Sequence, residues 1–293
     1  MLSILIPTYN YNVYPLVETI EKQVLKANII FELICLDDGS FSILNENNQK
    51  INALANCKFI EAKKNNGRTA TRQLLAEQAQ YNWLLFLDCD VIPIENNFIE
   101  NYIKEITSHT EVVFGGFAYN AKHTNSDKTL RYTFGKYREE VDSTIRNKNP
   151  YKVIISANFL IKKNLFIKLN KSEHHNIYGL DYLFSSMLKQ NHIQVKHINN
   201  EVYHLGIDDN PVYLEKAKKA VETLSFLIKN NRIKSNAISL LKAYRILKNI
   251  GLAKVFGKLM FQFNSEIEQN LTGNSPSLFL FDLYRLGYFC RIT

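Results

Sequence analysis

Along the first half of the chain, short apolar runs alternate with segments whose apolar positions recur every three or four residues. LSILIP (2–7) reads as a strand. Tyr14 to Ala27 reads as a helix with Leu16, Ile20, Val24 and Ala27 on one face, and FELICLDDGS as a second strand ending in a turn. A weaker helix covers Ile43 to Leu54, CKFIEA is a third strand, and Thr69 to Gln80 a helix. WLLFLD is a fourth strand, Phe98 to Ser108 a helix, and EVVFGGF a fifth strand. Strands alternating with helices predict an α/β fold, a mainly parallel sheet with helices on both faces. Such sheets take their ligands at the carboxyl ends of the strands.

From Tyr119 to Pro150 the pattern gives way to a polar stretch rich in Lys, Arg, Asn and Thr, read as a long, partly helical excursion. VIISANFLIKK returns to strand character, IYGLDYLFSSMLKQN reads as a helix preceded by Gly179, and IQVKHI and EVYHLG as short strands. From about Asp208 the chain reads as helical. Asn210-Pro211 is the expected start, a capping side chain followed by proline in the first turn. Between Asn236 and Phe263, apolar residues such as Leu241, Tyr244, Ile250, Val255 and Leu259 recur at helical spacing. Lys242, Arg245, Lys248, Lys254 and Lys258 fall mostly elsewhere. That pattern fits a basic amphipathic helix lying in a membrane interface, and equally a helix packed on the body with a lysine-rich outer face. Gly251 is a candidate break. The aromatic tail SLFLFDLYRLGYFC can dock on the body, pair with another subunit or rest on lipid.

The chain has 293 residues, 46% hydrophobic and 22% charged, enough to bury a substantial core. Its formal charge of +8 favours anionic partners, or simply reflects a lysine-rich, soluble surface. No nucleic-acid-binding motif accompanies that charge, so no nucleic-acid partner is expected. The four cysteines, Cys35, Cys57, Cys89 and Cys290, form no CxxC pair, which argues against zinc ribbons and suits a reducing compartment. MLSILIPTYN lacks the basic start of a signal peptide, and no apolar run approaches the roughly 20 residues of a membrane span. The expected location is the cytoplasm, compatible with attachment to the inner face of the cell membrane.

Three strand ends carry chemistry: Thr8-Tyr9-Asn10, Asp37-Asp38-Gly39-Ser40 and Asp88-Cys89-Asp90. Two carboxylates one residue apart, directly after five apolar residues, present oxygen to a hard divalent cation, Mn²⁺ or Mg²⁺, which shares its ligands with substrate phosphates. Asp37 and Asp38 are placed to accept hydrogen bonds from a base or ribose, or to shape an ordinary turn. In NNGRTATRQ, Gly67 allows close backbone approach. Arg68 and Arg72 lie four apart near a helix start, on one face, suited to a diphosphate or to surface salt bridges.

Together ILIPTYN, LICLDDGS, NNGRTATRQ, LLFLDCD, SANFLIKK and YGLDYLF resemble glycosyltransferase family 2, the inverting, nucleotide-sugar-dependent enzymes of the GT-A fold. The resemblance runs from about Leu2 to Gly206. It implies a GT-A catalytic domain over 1–207, with a nucleotide-sugar half to about 118 and an acceptor half over 119–207, followed by a helical region over 208–293. It implies that Pro7 and Tyr9 border the nucleoside, that Asp38 reads the base, typically uracil, and that Arg68 and Arg72 approach the nucleotide. Asp90 becomes the direct metal ligand, Asp88 faces the sugar or ribose beside it, and His204 assists with metal or diphosphate. Asp181 becomes the base that deprotonates an acceptor hydroxyl on a glycan or lipid-linked acceptor. Family members often carry Glu-Asp where this chain has Leu180-Asp181, so one acceptor-side carboxylate is missing. His174 and His175 precede it in a polar loop, placed either to touch the acceptor or simply to meet solvent. A sugar nucleotidyltransferase would want a glycine-rich loop after the first strand, and PTYNYNVYPL has none. A degenerate, non-catalytic nucleotide-binding module is the remaining alternative.

Overall fold

The computed structural model describes residues 1–170, 178–233 and 238–293. The strands, in chain order, are β1 (Leu2–Thr8), β2 (Phe31–Asp37), β3 (Cys57–Glu61), β4 (Trp83–Leu87), β5 (Val91–Pro93), β6 (Val112–Phe114), β7 (Phe117–Ala118), β8 (Asn158–Lys162), β9 (Val195–His197) and β10 (Val202–His204). The helices are α1 (Tyr14–Lys26), α2 (Asn45–Asn48), α3 (Arg68–Gln78), α4 (Phe98–Lys104), α5 (Thr129–Phe134), α6 (Ser143–Asn147), α7 (Lys163–Asn170) and α8 (Asp181–Gln190), then α9 (Asn210–Lys229), α10 (Ser239–Asn249), α11 (Ala253–Gln262), α12 (Asn264–Leu271) and α13 (Leu278–Ile292). They form two compact units. The first comprises Met1–Ala118, Val141–Asn176 and Gln190–Gly206; the second comprises Tyr119–Glu140, Ile177–Lys189 and Ile207–Thr293.

In the first unit a seven-stranded sheet runs β3-β2-β1-β4-β8-β6-β9, and a small second sheet runs β5-β10-β7. The large sheet is parallel except that β8 runs against both β4 and β6. Every residue of β2 is buried, as expected of a strand covered on both faces. β1 lies between β2 and β4, so the strand order reverses there, where α/β sheets open a crevice at their carboxyl ends. Aromatic rings tie β4, β8 and β6 together: Phe86 stacks on Phe159 at 5.1 Å and Phe114 on Phe159 at 5.4 Å.

EVVFGGF is not one strand. The chain leaves the large sheet after Phe114 and joins the small one at Phe117. Gly116 sits at φ +97°, and a Cβ at Gly115 would collide with Asn158, Asn200 and Tyr102. Asn158 is fully buried there. It donates to the Gly116 and Asn200 carbonyls, both at 2.9 Å, and accepts from the Tyr102 hydroxyl at 2.6 Å. Arg146 is buried nearby, donating to Val141 O (2.8 Å), Ile198 O (2.7 Å) and His197 Nδ1 (3.0 Å). His197 Nε2 donates to Pro150 O at 2.8 Å, so both of its partners suit the neutral ring. Burial pushes His197 down to about 4, the Arg146 charge adds to the effect, and the Pro150 bond opposes it.

The weaker helix at 43–54 is a four-residue α2 followed by a 3-10 turn over Gln49–Ala53. Asn48 is turned to the loop after β1, accepting from Val13 N and donating to Tyr11 O, both at 2.9 Å.

The second unit is helical, with two apolar clusters. One is built from Leu130, Tyr213, Leu214, Ile267 and Phe281, the other from Leu183, Val221, Leu224, Leu241 and Phe289. The pattern at 236–263 breaks at Gly251 (φ +75°) into α10 and α11. The aromatic tail is α13 and docks within this unit, burying Phe281, Tyr284 and Phe289. α11 approaches α13 through Gly257 and Gly287, where a Cβ at Gly287 would strike Met260. Asn210 does not cap α9. Asp209 precedes the helix, while the Asn210 side chain accepts from Leu130 N (2.8 Å) and donates to Thr129 Oγ1 (3.0 Å) and Thr272 O (3.2 Å), joining three segments.

Candidate functional site

The acidic turn after β2 and the loop after β3 are knitted together. Asp37, fully buried, accepts from Ser40 N at 2.8 Å and Ser40 Oγ at 2.7 Å, closing its own turn. Gly39 adopts φ +68°, and a Cβ there would collide with the Lys64 backbone, so only glycine lets the two loops meet. Asp38 Oδ1 accepts from the Asn66 backbone at 2.8 Å and from Asn66 Nδ2 at 3.2 Å, and its Oδ2 from Gly67 N at 2.8 Å. A carboxylate oxygen has two lone pairs, so Oδ2 keeps one acceptor position. The gripped loop delivers the N-terminus of α3, whose first residue, Arg68, is exposed.

Arg68 and Arg72 do not share an exposed face. Arg72, 6% exposed, turns inward, pairs with Asp88 Oδ1 and donates to Ser156 O at 3.1 Å. Asp88 is also fixed through its backbone, which donates to Ala157 O at 3.1 Å and extends the antiparallel β4–β8 ladder. A guanidinium in a confined, carboxylate-facing position favours a charge-assisted bond over diphosphate contact.

Asp90 is handled differently. β10 pairs antiparallel with β5 in the register His204↔Val91, which brings His204 back beside the DCD turn. His204 Nε2 lies 3.4 Å from Asp90 Oδ2, and Leu205 N donates to Asp90 O at 2.8 Å. The His204 ring stacks on Phe117 at 5.0 Å. Gly206 closes the cradle, since a Cβ there would strike Asp90 Oδ2. Burial works to raise the Asp90 carboxyl, but the His204 bond and the His204 and Arg68 charges outweigh it and hold the group below its usual value. Burial, then the Asp90 and Asp88 charges, push the Cys89 thiol far up, so it stays protonated and serves as packing. Burial and the Asp90 charge also raise Tyr11.

Thus Asp38, Arg68, Arg72, Asp88, Asp90 and His204 gather at the carboxyl ends of β2 and β4 with the elements that follow them. Tyr9 is exposed just past β1, with its backbone bonded toward Cys89, and Pro7 is half-buried inside β1. Asp181 is exposed at the first position of α8 in the second unit. His174 and His175 lie outside the described residues. Tyr11, Phe117, Ser156 and Gly206 escaped the sequence reading. Gly206, two residues after His204 in YHLG, was the legible signal.

Among the described residues no group of three or more His, Cys, Asp or Glu side chains forms a closed metal cage. The Asp90–His204 pair is a partial set of one oxygen and one imidazole donor. That set fits a divalent cation, Mn²⁺ or Mg²⁺, that would take its remaining ligands from substrate phosphates and water.

The chain is 29% identical over 130 residues to a chondroitin synthase from Escherichia coli, covering 43% of this chain and 19% of that protein. It spans about a quarter or less of the length of the curated relatives it matches. The fold matches the Staphylococcus aureus TarS 1–349 structure in complex with UDP-GlcNAc, at TM-score 0.53 and 14% identity over 99% of this chain and 90% of that one. It also matches glucosyl-3-phosphoglycerate synthase from Mycobacterium tuberculosis, a complex with Mn²⁺, UDP and glucosyl-3-phosphoglycerate, at TM-score 0.52 and 12% identity over 80% and 81%. The model of Glycosyl transferase family 2 matches residues 3–169, more than half of the 293. The chain therefore belongs to glycosyltransferase family 2, and its α/β sheet carries the GT-A fold.

Proposed function

We propose that this chain is an inverting glycosyltransferase that moves a sugar from a nucleoside diphosphate donor, UDP-linked by preference, to a hydroxyl of a growing cell-surface glycan or a lipid-linked acceptor. The observation that carries the reading is the division of labour at the acidic turn, with Asp88 locked to Arg72 and Asp90 held against His204. Family membership supports it, as do the UDP-containing complexes of two proteins with the same fold.

In this reading Tyr9 and Pro7 border the nucleoside. The remaining acceptor position on Asp38 Oδ2 takes a base N–H, and Asp88 faces the sugar or ribose. Arg68, exposed at the start of α3, meets the diphosphate, aided by the helix N-terminus. Asp90 and His204 hold a divalent cation, with Asp88 at its edge; when bound, such an ion supplies positive charge to the departing diphosphate. Asp181 removes the acceptor proton as the hydroxyl attacks the anomeric carbon, and the product has inverted configuration. The leaving diphosphate needs no protonating acid. The domain reading, catalytic over 1–207 and helical over 208–293, belongs to the same proposal, as does action at the cytoplasmic face of a membrane.

Calorimetric titration of UDP and GDP, with and without Mn²⁺, tests the donor side. Tight, metal-dependent binding of UDP alone is expected, and no binding of either nucleotide under any metal condition refutes the reading. Asp181→Asn is expected to keep donor binding and lose transfer; full transfer by that variant removes Asp181 as the base.

A further inference from the structure

Two helices of the second unit expose apolar and basic side chains together. Along α10, the Gly251 turn and α11, the side chains of Ile246, Ile250, Leu252, Val255, Leu259 and Phe263 are between 44% and 63% exposed. They follow one another at roughly helical spacing, two before the turn and four after it. Apolar side chains scattered singly on a surface are ordinary, but a connected series of this kind marks a contact surface. The opposite side of α11 is already taken, since Gly257 and Met260 pack on α13. The exposed series is therefore not waiting for a fold contact within its own helix pair.

Charge says what covers it. Lys242, Lys248, Lys254 and Lys258 are exposed on the same two helices. From Thr223 through Ser265 the sequence contains no Asp or Glu at all. A second copy docking through the same face would set lysines against lysines with no carboxylate to relieve them. An acidic bilayer surface answers both features. Apolar side chains sink to the headgroup–acyl boundary, while lysines lie along it with their ammonium groups among lipid phosphates. No helix among the described residues is long and apolar enough to cross a membrane, so the contact is one that lies on the surface.

We propose that the α10–α11 hairpin is a docking face for the surface of an anionic lipid bilayer. The inference is independent of the transfer chemistry, because none of its residues belongs to the candidate site, and vesicle binding reads it without any donor or acceptor.

The test is co-sedimentation of the full chain with phosphatidylcholine vesicles, and with vesicles carrying about one third phosphatidylglycerol. Partition into the anionic vesicles is expected, falling by at least about tenfold with neutral vesicles or on raising salt to about 0.5 M. The triple variant Ile250→Ser, Val255→Ser, Leu259→Ser and the triple variant Lys248→Glu, Lys254→Glu, Lys258→Glu are each expected to lose partition by at least about tenfold while keeping the far-ultraviolet circular dichroism of the parent. Leu252→Trp adds a reporter at the turn beside the single native Trp83, and its emission is expected to shift to the blue on vesicle addition. Equal binding to neutral vesicles, binding unchanged in both triple variants, or binding with no change in the added tryptophan overturns the proposal. So does concentration-dependent self-association without vesicle binding, which assigns the face to a second copy.

Discussion

In the first unit Asp37, Asp38 and Arg72 are buried or nearly so, and each has a named partner within hydrogen-bond reach. In the second, Ile246, Ile250 and Val255 are at least 60% exposed and meet solvent. Both arrangements run against the usual partition of side chains. A buried charge costs several kcal/mol unless it is paired, so the strand-end carboxylates persist because Ser40 serves Asp37, the loop after β3 serves Asp38 and Arg72 serves Asp88. An exposed apolar side chain costs the fold little, so nothing within the chain compels it to be covered. The same departure from average burial thus means rigid geometry in one region and an outside partner in the other.

The sharpest way to break the comparison is Asp90→Asn, which keeps the shape and removes the charge. Turnover is expected to fall by roughly a thousandfold, with metal-dependent nucleotide binding lost in calorimetry. Arg72→Ala comes next. It leaves Asp88 confined without its cation and is expected to cost about 3 kcal/mol of stability in urea unfolding. Arg72→Lys is expected to recover only part of this, because one nitrogen of Arg72 makes both bonds and the shorter lysine does not bring its ammonium to that same point between Asp88 and Ser156 O.

His197 gives a pH signature to the buried side of the contrast. Its folded value near 4 lies below the ordinary 6.5, so the unfolded chain takes up a proton that the folded chain refuses. Stability is therefore unaffected above about pH 6.5, falls as pH drops toward 4, and levels off below that. The loss is up to roughly 3 kcal/mol, and His197→Gln is expected to flatten that part of the stability–pH curve. Gly206→Ala is milder. Its methyl displaces the Asp90 carboxylate and is expected to weaken metal-dependent nucleotide binding by about tenfold with little change in melting temperature. Smallest of all, Ile250→Ser with Val255→Ser and Leu259→Ser is expected to change folding stability by no more than about 0.5 kcal/mol per site, measured by thermal unfolding.

The apolar runs made the large sheet legible, because parallel strands buried on both faces read as near-continuous hydrophobic segments, FELICL and WLLFL above all. The acidic strand ends were legible for the same reason, since carboxylates following such runs must sit at a carboxyl end. What the linear pattern hid were contacts closed by distant segments. EVVFGGF has the periodicity of one strand, and only Asn158, Asn200 and Tyr102 crowding Gly115 divide it between two sheets. Arg72 has helical spacing to Arg68, yet Asp88 and the Ser156 carbonyl, not the helix face, decide where its side chain points. The Asp90–His204 pairing needs the β5–β10 register, which no local rule supplies. In the second unit the periodicity of 236–263 foretold helix and Gly251 foretold the break. It did not say which side would be left uncovered, because that depends on where α13 packs.

β4 is bordered by β1 on one side and by β8 on the other, and β8 is encoded about 70 residues after β4 ends. On the ribosome, at about 5–20 residues per second, Trp83–Leu87 therefore spends several seconds as an unpaired strand edge. An apolar edge left open in that interval recruits any neighbouring chain that offers a strand. The antiparallel return of Asn158–Lys162 is what ends this window. Nascent chains halted before about residue 160 should accordingly be the form of this protein that chaperones hold, and strain on that system should deplete it during synthesis rather than after folding.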